Sequence, residues 1–490
     1  MKLLGFDYGA SGGRCMLGTF DGAKLSLSEL HRFENEPVWM GQHLRWDFPR
    51  LLHELKNGLR IARRAGHGDA VSLGINTWGV DFGLLDEYGE LMGNPFHYRD
   101  QITAHTMEET DALVPRRELY DRTGLQFMHF NTLYQLLAIQ KRYPRLYDRA
   151  HTLLFMPDLL GYFLTGEKKT EYSIASTSQM LDVRTRTWDG TLLDKLGLRA
   201  EMLTDIQPCG TPSGFLTTEV ARETGLRPQL ISVCGHDTAS AVLAVPMRRG
   251  DQSAYLSCGT WSLLGVELTD PLTHAGAFEA QYTNEGGYGN TIRFLRNIMG
   301  QWIFNEIKRE FEEREGPISY AEMDEQERAA TPFGPLIDTD APEFGQPGRM
   351  LDKINDFCAR TGQPRPEGLG AVIRCVNESI ALLYRYHIEK LEAVLGTTLP
   401  MLRVVGGGIR NRSLMRMTAA ALERPVCAGP AEATAIGNIT AQLLTLGELK
   451  NPWEARALVA DSFDVQTYAP ADAAQWREAY GRFTETVKGR

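Results

Sequence analysis

The sequence predicts an α/β protein made of two similar halves, and three observations lead there. Short apolar, β-branched runs alternate with amphipathic helical stretches along the whole chain. A strand, a Gly-rich turn and a second strand open the chain at residues 2–20, and the same outline returns at 253–268. Between them Pro246, Met247, Arg248, Arg249 and Gly250 interrupt the pattern. The expected domains are therefore residues 1–246 and 247–490, a duplicated unit with a cleft between the copies.

The chain has 490 residues, 43% hydrophobic and 23% charged, which is ordinary for a globular protein with a sizeable core. No apolar run approaches the ~18 residues of a membrane span. Met1 and Lys2 lead straight into a strand without an apolar leader, so a cytoplasmic protein is expected. Seven cysteines (15, 209, 234, 258, 358, 375, 427) contain no CxxC pair and read as small buried hydrophobes. Cys358 and Cys375 flank a Pro/Gly-rich loop and could bridge under oxidation, although free thiols are the expectation in a reducing cytosol. A net charge of −10 with dispersed Lys and Arg argues against nucleic acid or anionic membrane as partner. A phosphate-bearing ligand must then be held by local groups.

In chain order, residues 2–7, 14–20 and 24–30 read as strands, the last two joined by Asp21-Gly22, a hairpin signal. The first turn, Gly5 to Arg14, offers an acid at a strand end, Asp7, then Ala10, Ser11, Gly12 and Gly13, whose backbone N–H groups can approach an anion, then Arg14. The plainer alternative is a mobile hairpin turn. A helix at 48–65 and a buried strand at 71–75 lead to NTWGVDF, where Trp78, Gly79 and Asp81 could form a sugar-gripping strand end or, for Trp78, ordinary core. Residues 103–166 read as mainly helical, at 104–113, 131–142 and 157–164. A strand at 230–234 then enters Gly235, His236, Asp237 and Thr238 at a strand-to-helix turn, where ligands gather in α/β sheets. Asp237 is either an N-cap or a base for deprotonating an alcohol.

In the second half, strands at 253–257 and 261–268 flank Cys258-Gly259-Thr260, and 281–289 reads as a polar loop. Residues 294–307 read as a helix carrying Asn297 and Asn305, and 369–395 as a long amphipathic helix. A strand at 401–405 ends in Gly406, Gly407 and Gly408, where the backbone can touch a flat ring or a phosphate. Another strand at 425–428 and helices at 433–446 and 471–487 close the chain.

Two partial motifs are set aside. Gly9 to Gly13 match GxSxG, but that elbow needs a helix after it and here a strand follows. Residues 161–168, GYFLTGEK, miss the Walker lysine and read as a helix ending at Gly166. No HExxH-type spacing points to zinc.

Asp7 with its Gly-rich turn, NTWGVDF, GHDTASAV, SCGTWSL, NEGG, LRNIMG and GGGIRN, in this order and spacing, resemble the FGGY carbohydrate kinases over nearly the whole chain. The resemblance implies two actin-like, ribonuclease-H-like domains around a central cleft, the N-terminal one binding sugar and carrying the catalytic group, the C-terminal one binding nucleotide. It implies Asp237 as the base acting on the C1 hydroxyl of a ketose. Gly79, His236, Thr238 and Asn297 would contact the sugar. Ala10 to Arg14, Thr260, Asn305 and Gly407 would contact ATP, and Asp7 would organise Mg²⁺. Asn305 stands where relatives carry Gln. L-Rhamnulose is the expected substrate, with L-fuculose, D-xylulose or a gluconate-like acid as alternatives, and a non-catalytic actin-like ATPase as the alternative from another class. A monomer or homodimer is expected, with a hinge near residues 246–251.

Overall fold

The computed structural model describes residues 1–488; Gly489 and Arg490, at the end of the second expected domain, lie outside the described residues. The chain forms two compact units. One comprises residues 1–249, 267–295 and 433–462; the other comprises 250–266, 296–432 and the chain from 463 onward.

The first unit begins with β1 (Lys2–Tyr8), β2 (Gly12–Phe20) and β3 (Leu25–Glu34). Asp21 Oδ1 accepts the N–H groups of Ala23 and Lys24 at 2.8 and 2.7 Å, and Gly22 takes a φ of 102°. This is the tight turn that Asp-Gly predicts. Helix α1 (Phe48–Arg64) starts at Asp47, whose side chain accepts from Arg50 N, and buries Leu51, Leu55, Leu59 and Ala62. Then come β4 (Ser72–Thr77), β5 (Thr211–Phe215), β6 (Gln229–Ser232) and α2 (Asp237–Leu243). The sheet order is β5-β6-β4-β1-β2-β3.

The later chain contributes β7 (Ala254–Cys258), β8 (Trp261–Leu268), β9 (Thr283–Gly286), β10 (Ile292–Met299), α3 (Trp302–Glu315), α4 (Gly368–Leu395), β11 (Leu402–Val405), α5 (Arg412–Leu422), β12 (Val426–Ala428), α6 (Ala433–Thr445) and β13 (Gln466–Tyr468). The second sheet runs β10-β8-β7-β11-β12-β13, and β9 pairs antiparallel with the first part of β10. Strand directions repeat those of the first sheet. β7 is antiparallel to β8 and parallel to β11, as β1 is to β2 and β4; β12 is parallel to β11 and antiparallel to β13, as β6 is to β4 and β5.

Two expectations fail in the same place. Residues 281–289 contain strand β9, and residues 294–299 belong to strand β10 instead of a helix. Ile292, Arg293, Phe294 and Leu295 are all fully buried, so the first half of this strand is covered on both faces and carries no period-two signal. Gly300 follows between β10 and α3, and packing requires glycine there, because a Cβ would sit 2.7 Å from Ser262 Oγ and 2.8 Å from the Trp261 backbone.

Helix α6 comes late in the sequence yet packs in the first unit. Gln442 Nε2 donates to Leu4 O at 2.9 Å, Ser72 Oγ donates to Gln442 Oε1 at 2.6 Å, and a Cβ on Gly437 would overlap Ser240 O at 1.7 Å. The seven cysteines are buried free thiols. Among the described residues no helix is long and apolar enough to cross a membrane.

Candidate active site

Asp7 lies next to the last residue of β1, paired across the sheet with Arg14 on β2 and Asn76 on β4. That register dictates its partners. Arg14 Nη2 donates to Asp7 Oδ2 at 2.7 Å and Asn76 Nδ2 donates to Asp7 Oδ1 at 3.0 Å. Asn438 of α6 donates in turn to Asn76 Oδ1 at 2.7 Å, which fixes the Asn76 amide with its donor toward Asp7. The turn that holds Ala10, Ser11 and Gly12 is pinned rather than mobile: Gly9 N donates to Gly12 O, Asn35 N to Ser11 O and Asn35 Nδ2 to Gly9 O, at 2.8, 3.2 and 2.9 Å. Ser11 is exposed and Ala10 half-buried. Gly13 is required by packing, since a Cβ would fall 2.1 Å from the Phe33 ring.

The Gly235-His236-Asp237-Thr238 turn is tied down on its backbone. Gly235 O accepts from Thr77 N at 2.8 Å, Gly235 N donates to Glu171 Oε2 at 2.8 Å, and His236 N donates to Ser173 Oγ at 3.2 Å. Buried Glu171 also accepts from Ser173 N, Ile174 N and Cys209 Sγ. The residue before α2 is His236, in extended conformation, and Asp237 is the first residue of the helix, so Asp237 is not the N-cap. Its Oδ1 accepts from Thr238 N at 2.6 Å and lies 3.2 Å from Thr238 Oγ1. The carboxylate side chain remains 30% exposed, open to a substrate hydroxyl. The protein packed around it raises its pKa above the usual carboxylate value and the Asp7 charge adds to this, while His236 and the Thr238 donors pull it back.

Gly79 lies against the same ring: a Cβ there would be 3.4 Å from His236 Nε2 and 3.3 Å from Thr177 Cγ2. Val80 follows with φ 68°, a strained geometry for a β-branched residue. Hydrogen bonds hold it: Val80 N donates to Thr177 Oγ1 and Val80 O accepts from Thr132 Oγ1. Trp78 and Asp81, read from the sequence as possible sugar contacts, are interior. Asp81 Oδ2 accepts from the indole N–H of Trp46 at 2.6 Å and of Trp78 at 2.9 Å, and Oδ1 from Gln135 Nε2 at 2.8 Å. Burial pushes the Asp81 carboxyl up to about 7 against the pull of these donors.

In the second unit, Thr260 lies in the β7–β8 turn, whose Gly259 N donates to Trp261 O at 2.8 Å. Gln301 N and Trp302 N donate to Gly259 O and Thr260 O at 3.0 and 3.2 Å, so the start of α3 is bonded to that turn. Asn305 is exposed on the first turn of α3, and Asn297 is half-buried on β10. Gly406 and Gly408 press on Cys258, with an added Cβ 2.8 Å from its carbonyl oxygen and 2.2 Å from its Sγ respectively. Gly407 between them is exposed and meets nothing within 4 Å.

The structure thus groups Asp7, Ala10 to Arg14, Gly79, His236, Asp237 and Thr238 in the first unit, and Thr260, Asn297, Asn305 and Gly407 in the second. Sequence reasoning missed Asn76, Glu171, Glu285 and Arg293. Glu285 and Arg293 were hidden because their strands went unread, the burial of both strands leaving no alternation to read.

A sheet repeated twice in one strand order is a two-domain actin-like fold, and solved structures share it. Xylulose kinase from Lactobacillus acidophilus superimposes with a TM-score of 0.82 at 15% identity, covering 100% of this chain and 98% of that one. Plasmodium falciparum glycerol kinase with ADP does so with 0.80 at 14% identity, covering 99% and 97%. The chain belongs to the FGGY family of carbohydrate kinases, whose N-terminal domain model matches residues 2–244 and whose C-terminal domain model matches 254–446. It is 41% identical over 484 residues to the rhamnulokinase of Bacteroides thetaiotaomicron, covering 98% of each chain. It is 39% identical over 469 residues to that of Halalkalibacterium halodurans, covering 96% of this chain and 99% of the relative.

Proposed function

We propose that the chain transfers the γ-phosphoryl group of ATP to the C1 hydroxyl of L-rhamnulose, giving L-rhamnulose 1-phosphate and ADP. The observation that carries this reading is the near full-length similarity to proteins named rhamnulokinase. Asp237 acts as the base. Its carboxylate is exposed enough to meet a hydroxyl, and its raised pKa makes it a better proton acceptor than an ordinary surface aspartate. Gly79, His236, Thr238 and Asn297 bind the sugar; Gly79 leaves the Nε2 face of His236 uncovered by any side chain of its own.

Ala10 to Arg14, Thr260, Asn305 and Gly407 bind ATP, residues 1–246 forming the sugar-binding domain and 247–490 the nucleotide-binding one. Phosphoryl transfer asks a protein mainly for positioning and for cancelling charge. Backbone N–H groups and Arg14 supply part of that. Asp7 would hold Mg²⁺: its charge and that of Asp237 are close enough to interact, and among the described residues Arg14 and Asn76 contact one carboxylate oxygen each, a local excess of negative charge that suits a divalent cation. Mg²⁺ is commonly held by one or two carboxylates plus substrate phosphates. When bound it would neutralise charge on the phosphates.

The test is phosphorylation of a ketose panel with ATP. L-Rhamnulose is expected to give the highest kcat/KM; a higher value for D-xylulose or L-fuculose overturns the substrate, and ATP hydrolysis without any sugar phosphate overturns the reaction.

A further inference from the structure

The two ring nitrogens of His236 face different neighbours. Nε2 lies 3.3 Å from Asp237 Oδ1, and Nδ1 lies 3.1 Å from Arg293 Nη2. A guanidinium has only donors and keeps its charge, so the hydrogen bond between Arg293 Nη2 and Nδ1 requires Nδ1 to be the acceptor. A neutral imidazole that accepts at Nδ1 carries its proton on Nε2. Arg293 has little freedom to do otherwise. It is fully buried, donates from Nε to Gly286 O at 2.7 Å, and has Nη2 3.1 Å from Oε2 of Glu285, its cross-strand partner between β9 and β10. Glu285 Oε2 is also 3.3 Å from Nδ1. A proton on Nδ1 would satisfy that oxygen but would set an N–H against the Arg293 N–H.

We propose that Arg293, held by Glu285, is a positioning residue that fixes His236 as the Nε2–H tautomer and so presents its one ring proton on the side of Asp237 and the sugar. There the proton holds the carboxylate ionised and oriented toward the C1 hydroxyl. Removing Arg293 frees the ring to take its proton on Nδ1 and donate to Glu285, which leaves Asp237 without that neighbour. The inference rests on the reading of Asp237 as the base.

The test is ¹⁵N NMR of the ring nitrogens in the full-length, histidine-labelled protein, with His236 assigned by the signals lost in His236→Gln. A neutral ring with Nε2 protonated is expected. An Nδ1–H ring or a doubly protonated one overturns the proposal. Arg293→Met is expected to lose the Nε2–H signature and at least about tenfold in kcat, a wrong tautomer in a comparable catalytic pair costing up to ~10⁴. Arg293→Lys, which restores a donor, should recover the signature and part of the rate. A folded Arg293→Met that keeps both signature and rate also overturns it. Should Arg293→Met not fold, the wild-type spectrum decides alone. The same wild-type sample is assayed with ATP and L-rhamnulose: absence of product removes the proposed substrate, while the spectrum still settles the ring.

Discussion

Asp7 and Ser257 occupy the same place in the two repeated sheets, each one residue before the end of the first strand. Asp7 is registered with Asn76 on the neighbouring parallel strand, Ser257 with Val405. After the next parallel strand the first unit continues into Gly235-His236-Asp237, and its counterpart continues into Gly429-Pro430-Ala431-Glu432. The scaffold is common and the chemistry is not. The first unit puts carboxylates at both strand ends, while the second puts glycines around Cys258, from Gly259 to Gly406–Gly408. A polyanion such as ATP is repelled by a carboxylate and accepted by bare N–H groups, whereas an alcohol needs a base. The contrast teaches that equivalent strand-end positions carry carboxylates in one unit and glycines in the other, which, under the function proposed above, would let side-chain charge separate the acid-base role from part of the nucleotide contact.

Asp237→Asn tests that division most severely. A base predicts a loss of roughly 10²–10⁴ in kcat with the melting temperature kept. In wild type the acid limb of kcat/KM should lie above pH 3.8, since the ionised form is the active one and its pKa is raised. Normal activity of Asp237→Asn would erase the distinction between the two units. Next in size, Asn76→Ala removes one of the two side-chain donors that orient Asp7. If Asp7 holds Mg²⁺, the metal requirement should rise about 10–100-fold in a magnesium titration.

In the second unit, Gly407→Ala should raise KM for ATP about tenfold, equal to ~1.4 kcal/mol, without changing the melting temperature. Gly408→Ala, driven into Cys258, should instead destabilise the protein by ~1–3 kcal/mol in chemical denaturation. Equal effects at the two glycines would sink the ligand-facing role of Gly407. The smallest effect is expected at Asp81. Ionising it costs more in the folded chain than in the unfolded one, so its contribution to stability is greatest below pH 4 and is lost as pH rises through about 7. Asp81→Asn should melt with a flatter pH dependence over that window.

Much of this was legible in the sequence because local chemistry decides it. Asp21-Gly22 makes its turn, Gly166 ends its helix with φ 82°, and strand β8 falls at the residues its composition indicates. The strand-end position of Asp7 and the strand-to-helix turn before Asp237 were readable for the same reason. What stayed hidden depends on tertiary partners. Residues 294–299 pack on both faces and lose their period, so a helix was inferred where β10 lies. Trp78 read as either a ligand contact or core, and Asp81 as an added carboxylate beside it; the structure makes Trp78 core, and one oxygen of Asp81 takes the indole N–H groups of both Trp46 and Trp78. No sequence spacing links residues 46, 78 and 81 to 135. The N-cap reading of Asp237 missed by one residue, because the helix begins on Asp237 itself.

Helix α6 has a practical consequence for anyone who would dissect this enzyme. It begins at Ala433, 190 residues after α2 ends at Leu243, yet Cβ atoms at Gly5, Gly18 and Gly74 would strike its Asn438 and Ile439, and Asn438 orients the amide that faces Asp7. A gene cut between residues 246 and 247 would therefore yield an N-terminal fragment with a bare apolar sheet face and a misaligned acid. Residues 267–295 and 433–462 would both need to be grafted onto it through linkers before that half could be expressed, crystallised or titrated with sugar by itself.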